Sequence, residues 1–369
     1  MIVKKISGWL HLWLGLLSGL VVLIVAVTGA IYEFQPEITK LTQPYLTVKA
    51  EDKLFLPISD IKAIALKQLP NKQPIRIILK GKTDAVVVLF FAKKPEPYYY
   101  NVYINPYTGK VLSVKNMRED FFTIILAGHM HLWLPETIGA VIVAYATLIF
   151  LLIIITGIIL WWPRNKARLK TSFKVKWNAS PKRLNYDLHN VLGFYASWII
   201  LFAVLTALVW CFQWAANAEY WLVSGGKTKP KLVQPKTAVS AIDSQQHPLN
   251  VIVSKVVKAY PKAAGILVSL LAKDSAAVVV RVYPNATTFY QSDNLYFNQY
   301  TAEAIPVKEN GKYAQATAGE KAVRMNYDIH VGAIAGLPGR IAMFLASLVV
   351  ASLPVTGFII WWGKRKKKK

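Results

Sequence analysis

Four unbroken apolar stretches decide most of what this chain can fold into. They are Gly8–Tyr32, Gly139–Trp162, Val191–Trp214 and Gly339–Trp362. At about 1.5 Å per helical residue, each is long enough to cross about 30 Å of hydrocarbon. The chain has 369 residues, 54% of them hydrophobic, with a mean hydropathy of +0.34, so the apolar content is gathered into spans rather than one large core. Lys4 and Lys5 precede the first stretch, as in a secretory leader. Its apolar region is too long for a leader and carries Trp9, His11 and Trp13, so an uncleaved anchor is predicted. The single Cys211 lies in an apolar run, which leaves no disulfide framework and no CxxC site.

Basic residues predict the orientation. Lys4 and Lys5 lie before the first span, and Arg164, Lys166, Arg168, Lys170, Lys174, Lys176, Lys182 and Arg183 lie between the second and third, against one acid, Asp187. Lys364-Arg365 and four more lysines follow the last span. Short basic segments stay in the cytoplasm. Both termini are therefore expected inside a bacterial inner membrane, with the loops 33–138 and 215–338 in the periplasm. Much of the formal charge of +25 is then topology signal rather than a nucleic-acid footprint. Trp161-Trp162 and Trp361-Trp362, directly before basic tails, read as interfacial anchors.

The chain also repeats itself. Residues 9–15 read WLHLWLG and residues 187–193 read DLHNVLG, each a His followed four residues later by Gly and seventeen later by Thr, at Thr28 and Thr206. The second and fourth spans both end in Thr-Gly-x-x-x-Trp-Trp, from Thr156 and from Thr356. This predicts a tandem duplication of span, domain, span, with its symmetry axis along the membrane normal. The segments are 1–32 (span), 33–138 (domain), 139–162 (span), 163–190 (basic loop), 191–214 (span), 215–338 (domain), 339–362 (span) and 363–369 (basic tail). In the first loop a helix opens at Pro57 and ends near Pro70, strands follow at 74–80, 84–92 and 98–104, and Asn105-Pro-Tyr-Thr-Gly109 turns into a last strand. In the second, Pro248–Tyr260 reads as helix, with strands at 265–271, 276–283 and near 294–298 and the turn Asn298-Gln-Tyr-Thr. The fold class expected is an all-α four-helix membrane bundle with two small α+β domains.

Helix, strands and the Asn-x-x-Thr-Gly turn resemble PepSY domains. With the His-x-x-x-Gly and Thr-Gly-x-x-x-Trp-Trp spans, nearly the whole chain resembles the PepSY-associated transmembrane family, which includes bacterial ferric-siderophore reductases. The resemblance implies an inner-membrane bundle holding b-type haem and reducing ferric siderophores, or another ferric chelate, in the periplasm. The second turn departs from the pattern, with Ala302 where the first has Gly109.

Five of the six histidines lie within a few residues of a span, where ionisable groups are uncommon and functional by default. His11 and His189 begin equivalent spans at the inner face; His330 and either His131 or His129 precede the other two at the outer face. Two layers of two imidazoles suit bis-histidine haem, because a bundle core can hold a flat ring between facing helices. Two haem b groups are expected, with His11, His189, His131 and His330 as axial ligands and His129 as the alternative to His131. His129 and His131 point to nearly opposite sides of a helix, so only one can face a given haem. Gly15 and Gly193, one turn beyond their histidines, would let a porphyrin lie against the backbone, or equally would serve close helix packing. Arg183-x-Asn-Tyr-Asp-x-His189 and Arg324-x-Asn-Tyr-Asp-x-His330 repeat one motif across the two faces. Its Asp187 and Asp328 read as helix caps that can also accept from an imidazole, and Arg183, Arg324 and Arg340 as partners for haem propionates. His247 reads as a surface residue. Zinc would want three or four ligands together, which a split of two and two denies.

The leading expectation is therefore an oxidoreductase that passes electrons across the bilayer from a membrane quinol or a cytoplasmic reductase, since no nicotinamide or flavin motif is present. The competing expectation is non-enzymatic: ligand binding or protease restraint by the PepSY-like domains, or a small iron-uptake permease.

Overall fold

The computed structural model describes residues 2–163, 165, 169, 171–232, 234–237, 247–270 and 275–365. The basic residues Arg164, Lys166, Arg168, Lys170 and those at 366–369 lie outside them. The chain divides into two compact units, one built from residues 1–35, 124–219 and 326–369 and one from 36–123 and 220–325.

The first unit is the membrane bundle. Its spans are span 1 (Ile2–Glu33), span 2 (Glu136–Trp161), span 3 (Pro181–Cys211) and span 4 (Gly336–Arg365). Lipid offers the backbone no partners, so long apolar runs satisfy their own N–H and C=O groups as helices. Each span packs against its neighbours in sequence and span 4 returns to span 1, closing a ring in which the diagonal partners approach least. Ile154, Ile200, Val204, Met343 and Val350 fill its core.

Span 3 begins ten residues before the apolar run at Val191. Pro181 starts it with a φ suited to the first helical turn, and its polar first turns have local partners. Asn185 donates to the Thr356 carbonyl (3.1 Å), while Asp187 accepts from the Lys176 N–H (3.3 Å) and pairs with Arg183 (2.9 Å). Asp187 thus lies inside a helix and pins the preceding loop, so the capping role expected of it is corrected. Asp328 likewise lies inside the helix Ala318–His330, fully buried. The helix of span 3 widens to a π-turn over Leu188–Leu192, which contains His189, a feature that gathers at functional sites.

The second unit is one eight-stranded antiparallel sheet. Its strands are β1 (Pro74–Leu79), β2 (Val86–Ala92), β3 (Tyr98–Ile104), β4 (Val111–Asn116), β5 (Gly265–Ser269), β6 (Val278–Tyr283), β7 (Asp293–Phe297) and β8 (Ala304–Ile305), in the order β4-β3-β2-β1-β5-β6-β7-β8. The strands fall where the alternation of apolar residues placed them, but the two loops do not make separate domains. β1 pairs with β5, Ile77 facing Val268, both without solvent exposure. The helices Ile58–Gln68 and Pro248–Ala259 share the core beneath it, and Asn250 accepts from the Ser59 N–H and donates to the Ser59 hydroxyl, both at 2.9 Å. Joining the edges removes two exposed strands at once.

The Asn-x-x-Thr turn survives in both halves. Asn105 Oδ1 accepts from the N–H of Tyr107 and Thr108, and Asn298 Oδ1 from the N–H of Tyr300 and Thr301. Both turns end in a residue at positive φ, Gly109 at 73° and Ala302 at 57°. The side-chain hydrogen bonds hold the shape even where glycine is lost.

Candidate cofactor site: two imidazole pairs

Each histidine pair crosses a diagonal of the ring of spans. His11 of span 1 meets His189 of span 3 with ring centroids 6.3 Å apart and planes at 88°. His129, in the helix Phe121–His131 that precedes span 2, meets His330, in the helix that precedes span 4, at 6.2 Å and 77°.

The outer pair is thus His129 with His330, and the preference for His131 is corrected. His131 is half-buried and folds back on its own turn, with Nδ1 2.7 Å from the Leu134 carbonyl. The physical reason is turn length. His129 stands ten residues before Gly139, and His330 nine before Gly339. Aligning the halves on their span ends sets His330 opposite Met130, whereas the structure absorbs the extra residue in a turn where Leu132 and Trp133 take positive φ. In the second half Gly332 takes that conformation, at 73°.

All four imidazoles are held in one way. His11 Nδ1 lies 3.1 Å from the Ile153 carbonyl and 3.2 Å from Thr156 Oγ1. His129 Nδ1 lies 2.8 Å from the Val25 carbonyl and 3.5 Å from Thr28 Oγ1. His330 Nδ1 lies 3.0 Å from the Ala203 carbonyl and 3.1 Å from Thr206 Oγ1. His189 Nδ1 lies 2.9 Å from Thr356 Oγ1. In the first three the threonine is joined by the carbonyl three residues before it. The bonds are reciprocal within each half: span 1 gives His11 to Thr156 and takes His129 at Thr28. The second half repeats this with His189 at Thr356 and His330 at Thr206.

The residue after each threonine makes room for the ring. A Cβ on Gly157, Gly357 or Gly29 would lie 3.1, 3.1 or 3.0 Å from Cε1 of His11, His189 or His129. The fourth position is Ala207, and there Trp210 lies against His330 with centroids 5.0 Å apart.

The donor chemistry fits a haem iron. Among the described residues no group hydrogen-bonds Nε2 of any of these rings, and no third His, Cys, Asp or Glu joins either pair. An ion bound by two imidazole nitrogens at about 2 Å each sits between rings whose centroids are about 6 Å apart. A neutral imidazole whose Nδ1–H donates to a carbonyl presents its Nε2 lone pair, the usual arrangement of a metal-bound histidine.

Against this geometry, one comparison is decisive. Residues 8–364 match the family model of the PepSY-associated TM region. The chain belongs to that family. No curated protein matches it.

In this PepSY-associated protein the remaining predicted site residues have other surroundings. Gly15 faces open space within 4 Å, whereas a Cβ on Gly193 would touch the Leu353 side chain at 3.5 Å, so only Gly15 leaves a gap for a ring. Close packing falls instead to Gly19, where a Cβ would lie 3.3 Å from the Pro354 side chain. The arginines expected at propionates are held by protein. Arg340 pairs with Glu33 (3.0 Å), both half-buried, and its guanidinium lies over Phe34. Arg324 donates to the Ser292 and Gly311 carbonyls (2.9 and 3.0 Å), and the half-exposed Arg183 pairs with Asp187. Asn326, of the repeated motif, donates to Glu219 (3.0 Å). His247 caps its helix by accepting from the Leu249 N–H (3.2 Å). Trp161 is no interfacial anchor: it is 6% exposed and stacks on Phe194 at 3.6 Å, with Phe173 beside both, while Trp162 is 63% exposed.

Two caps start the helices that carry the outer histidines. Asp120 accepts from the N–H and hydroxyl of Thr123 and from Lys115. Burial works against its ionisation, but Lys115 and the Thr123 donors outweigh this and hold its carboxyl below the usual range. Thr317 and Glu320 form the reciprocal capping box of the second half, at 2.8 and 3.3 Å.

Proposed function

We propose that this protein is an inner-membrane haem b oxidoreductase that moves electrons across the bilayer and reduces ferric siderophore, or a like ferric chelate, on the periplasmic side. The observation that carries this reading is the pair of imidazole pairs, each with Nδ1 engaged and Nε2 free at a separation suited to one ion. Bound haem supplies a one-electron couple between Fe(III) and Fe(II) at each pair.

The chain's own contribution is orientation and enclosure. His11 and His189 hold one group between spans 1 and 3, and His129 and His330 hold the other. The carbonyls of Ile153, Val25 and Ala203 fix ring direction, and the apolar spans exclude water and counter-ions. Seventeen residues separate His11 from Thr28, the partner of His129, and His189 from Thr206, so the layers are about 25 Å apart along the helices. In this reading the His11 pair faces the cytoplasm, as the basic segments ask, and takes electrons from a quinol or a reductase. The substrate accepts one electron: Fe(III) in the chelate becomes Fe(II), which suits hard oxygen donors less well and is released.

A visible spectrum of the purified protein from haem-sufficient cells tests the cofactor. A Soret band that sharpens and shifts with dithionite is expected, and a colourless preparation overturns the reading. Mixing the reduced protein with ferric siderophores tests the substrate. Re-oxidation at a rate set by chelate concentration is expected, and a persistent reduced spectrum would remove the reductase assignment while leaving the haem.

A further inference from the structure

The four threonines beside the imidazoles do more than pack. Each commits its hydroxyl proton to the carbonyl four residues back in its own helix: Thr28 to Ile24 (2.7 Å), Thr156 to Leu152 (2.7 Å), Thr206 to Phe202 (2.9 Å) and Thr356 to Ser352 (3.1 Å). A hydroxyl oxygen keeps two lone pairs, and once its proton is committed it meets a neighbouring group only as an acceptor. At His11, His129 and His330 the neighbouring carbonyl is an acceptor too. An imidazole nitrogen placed between two acceptors has to be the one that carries the proton. A threonine so committed occurs once in every span, on either side of both diagonals.

We propose that Thr28, Thr156, Thr206 and Thr356 are positioning residues that hold all four imidazoles in the Nδ1–H tautomer and, by accepting from that N–H, set the electron donation of each ligand pair. An imidazole whose N–H is accepted is a stronger donor and favours Fe(III), so the threonines lower the potential of the layer they serve. The redox half of this proposal rests on the haem reading. The tautomer half rests on the hydrogen bonds alone.

The distances grade the effect. Thr356 is the shortest contact at 2.9 Å, Thr206 and Thr156 follow at 3.1 and 3.2 Å, and Thr28 is 3.5 Å away where the Val25 carbonyl, at 2.8 Å, holds the proton without it. A threonine that served helix packing alone, as back-bonded threonines in membrane helices often do, would not follow that order.

The test uses the full chain with ¹⁵N-labelled histidine and the variants T356V, T28V and T356S. Nitrogen shifts report each ring's tautomer without needing haem. All four rings are expected as Nδ1–H in the wild type, with His189 losing that purity in T356V and keeping it in T356S. In haem-loaded protein, T356V should raise the ratio of reduced to oxidised haem about tenfold at a fixed poise, or about 59 mV for one electron. The shift in T28V should be the smallest, and T356S should restore the wild-type value. An Nε2–H ring among the four in the wild type overturns the proposal, as do equal shifts in T28V and T356V, or a serine variant that behaves like valine. A protein that takes up no haem refutes the haem reading, and the tautomer measurement still decides the role of the threonines.

Discussion

At the scale of single residues, His129 and His131 give the sharpest contrast. On the haem reading, H129A should remove about half of the bound haem, because one of the two imidazole pairs loses a member. H131A should retain it all, because that ring turns back onto its own Leu134 carbonyl; pyridine haemochrome content of the two proteins checks both. Full retention in H129A would return the outer layer to open assignment. The inner layer was legible from spacing alone, since His11 and His189 share their Gly and Thr offsets. The outer layer was not, because the choice between two histidines depends on where one extra residue is absorbed, and only the folded turn at Leu132 and Trp133 shows that. The Thr-Gly dipeptides were visible as repeats, but read only as the start of an aromatic ending. A pattern marks which residues are repeated without saying which distant side chain each receives.

At the scale of elements, the helix Phe121–His131 is held at its start by Asp120 and near its end by His129. Removing the cap with D120A should cost about 1 kcal/mol of stability, read as a lower melting temperature. The same carboxylate gives a pH dependence. Its folded-state pKa is depressed, so its contribution is fully present above the unfolded value near 3.9 and is lost as pH falls through the lower folded value. Thermal melts between about pH 5 and pH 3 should therefore fall less steeply for D120N than for the wild type; parallel slopes would show that the cap contributes nothing in this range. Strand positions were read well from sequence because each alternates cleanly on a half-buried surface. The start of span 3 was misplaced because hydropathy sees only the part of a helix that lies in lipid, whereas Asn185 and Asp187 extend it through hydrogen bonds to span 4 and to the preceding loop.

At the scale of the whole molecule, duplication has produced two kinds of joint. In the sheet unit the halves meet edge to edge along β1 and β5. A proline at Ile77 would remove a ladder bond in the interior of the sheet and cost about 3 kcal/mol or more. I77P should therefore open both halves of the sheet together in proteolysis, where loss of the first half alone would mean that they are independent. Sequence reading missed this joint because each loop carries its own helix and strands, and nothing within either announces an edge partner. In the bundle the halves meet through the imidazole pairs, since His11 and His129 lie in the first half and each faces a histidine of the second. That diagonal arrangement imposes a timetable on synthesis. A ribosome that has delivered the first two spans has made two of the paired histidines and no complete pair; His11 meets its partner only after residue 189 has been inserted, and His129 only after residue 330. On the haem reading, loading of the second centre is in this way tied to completion of the chain, and a product truncated before residue 189 would carry neither.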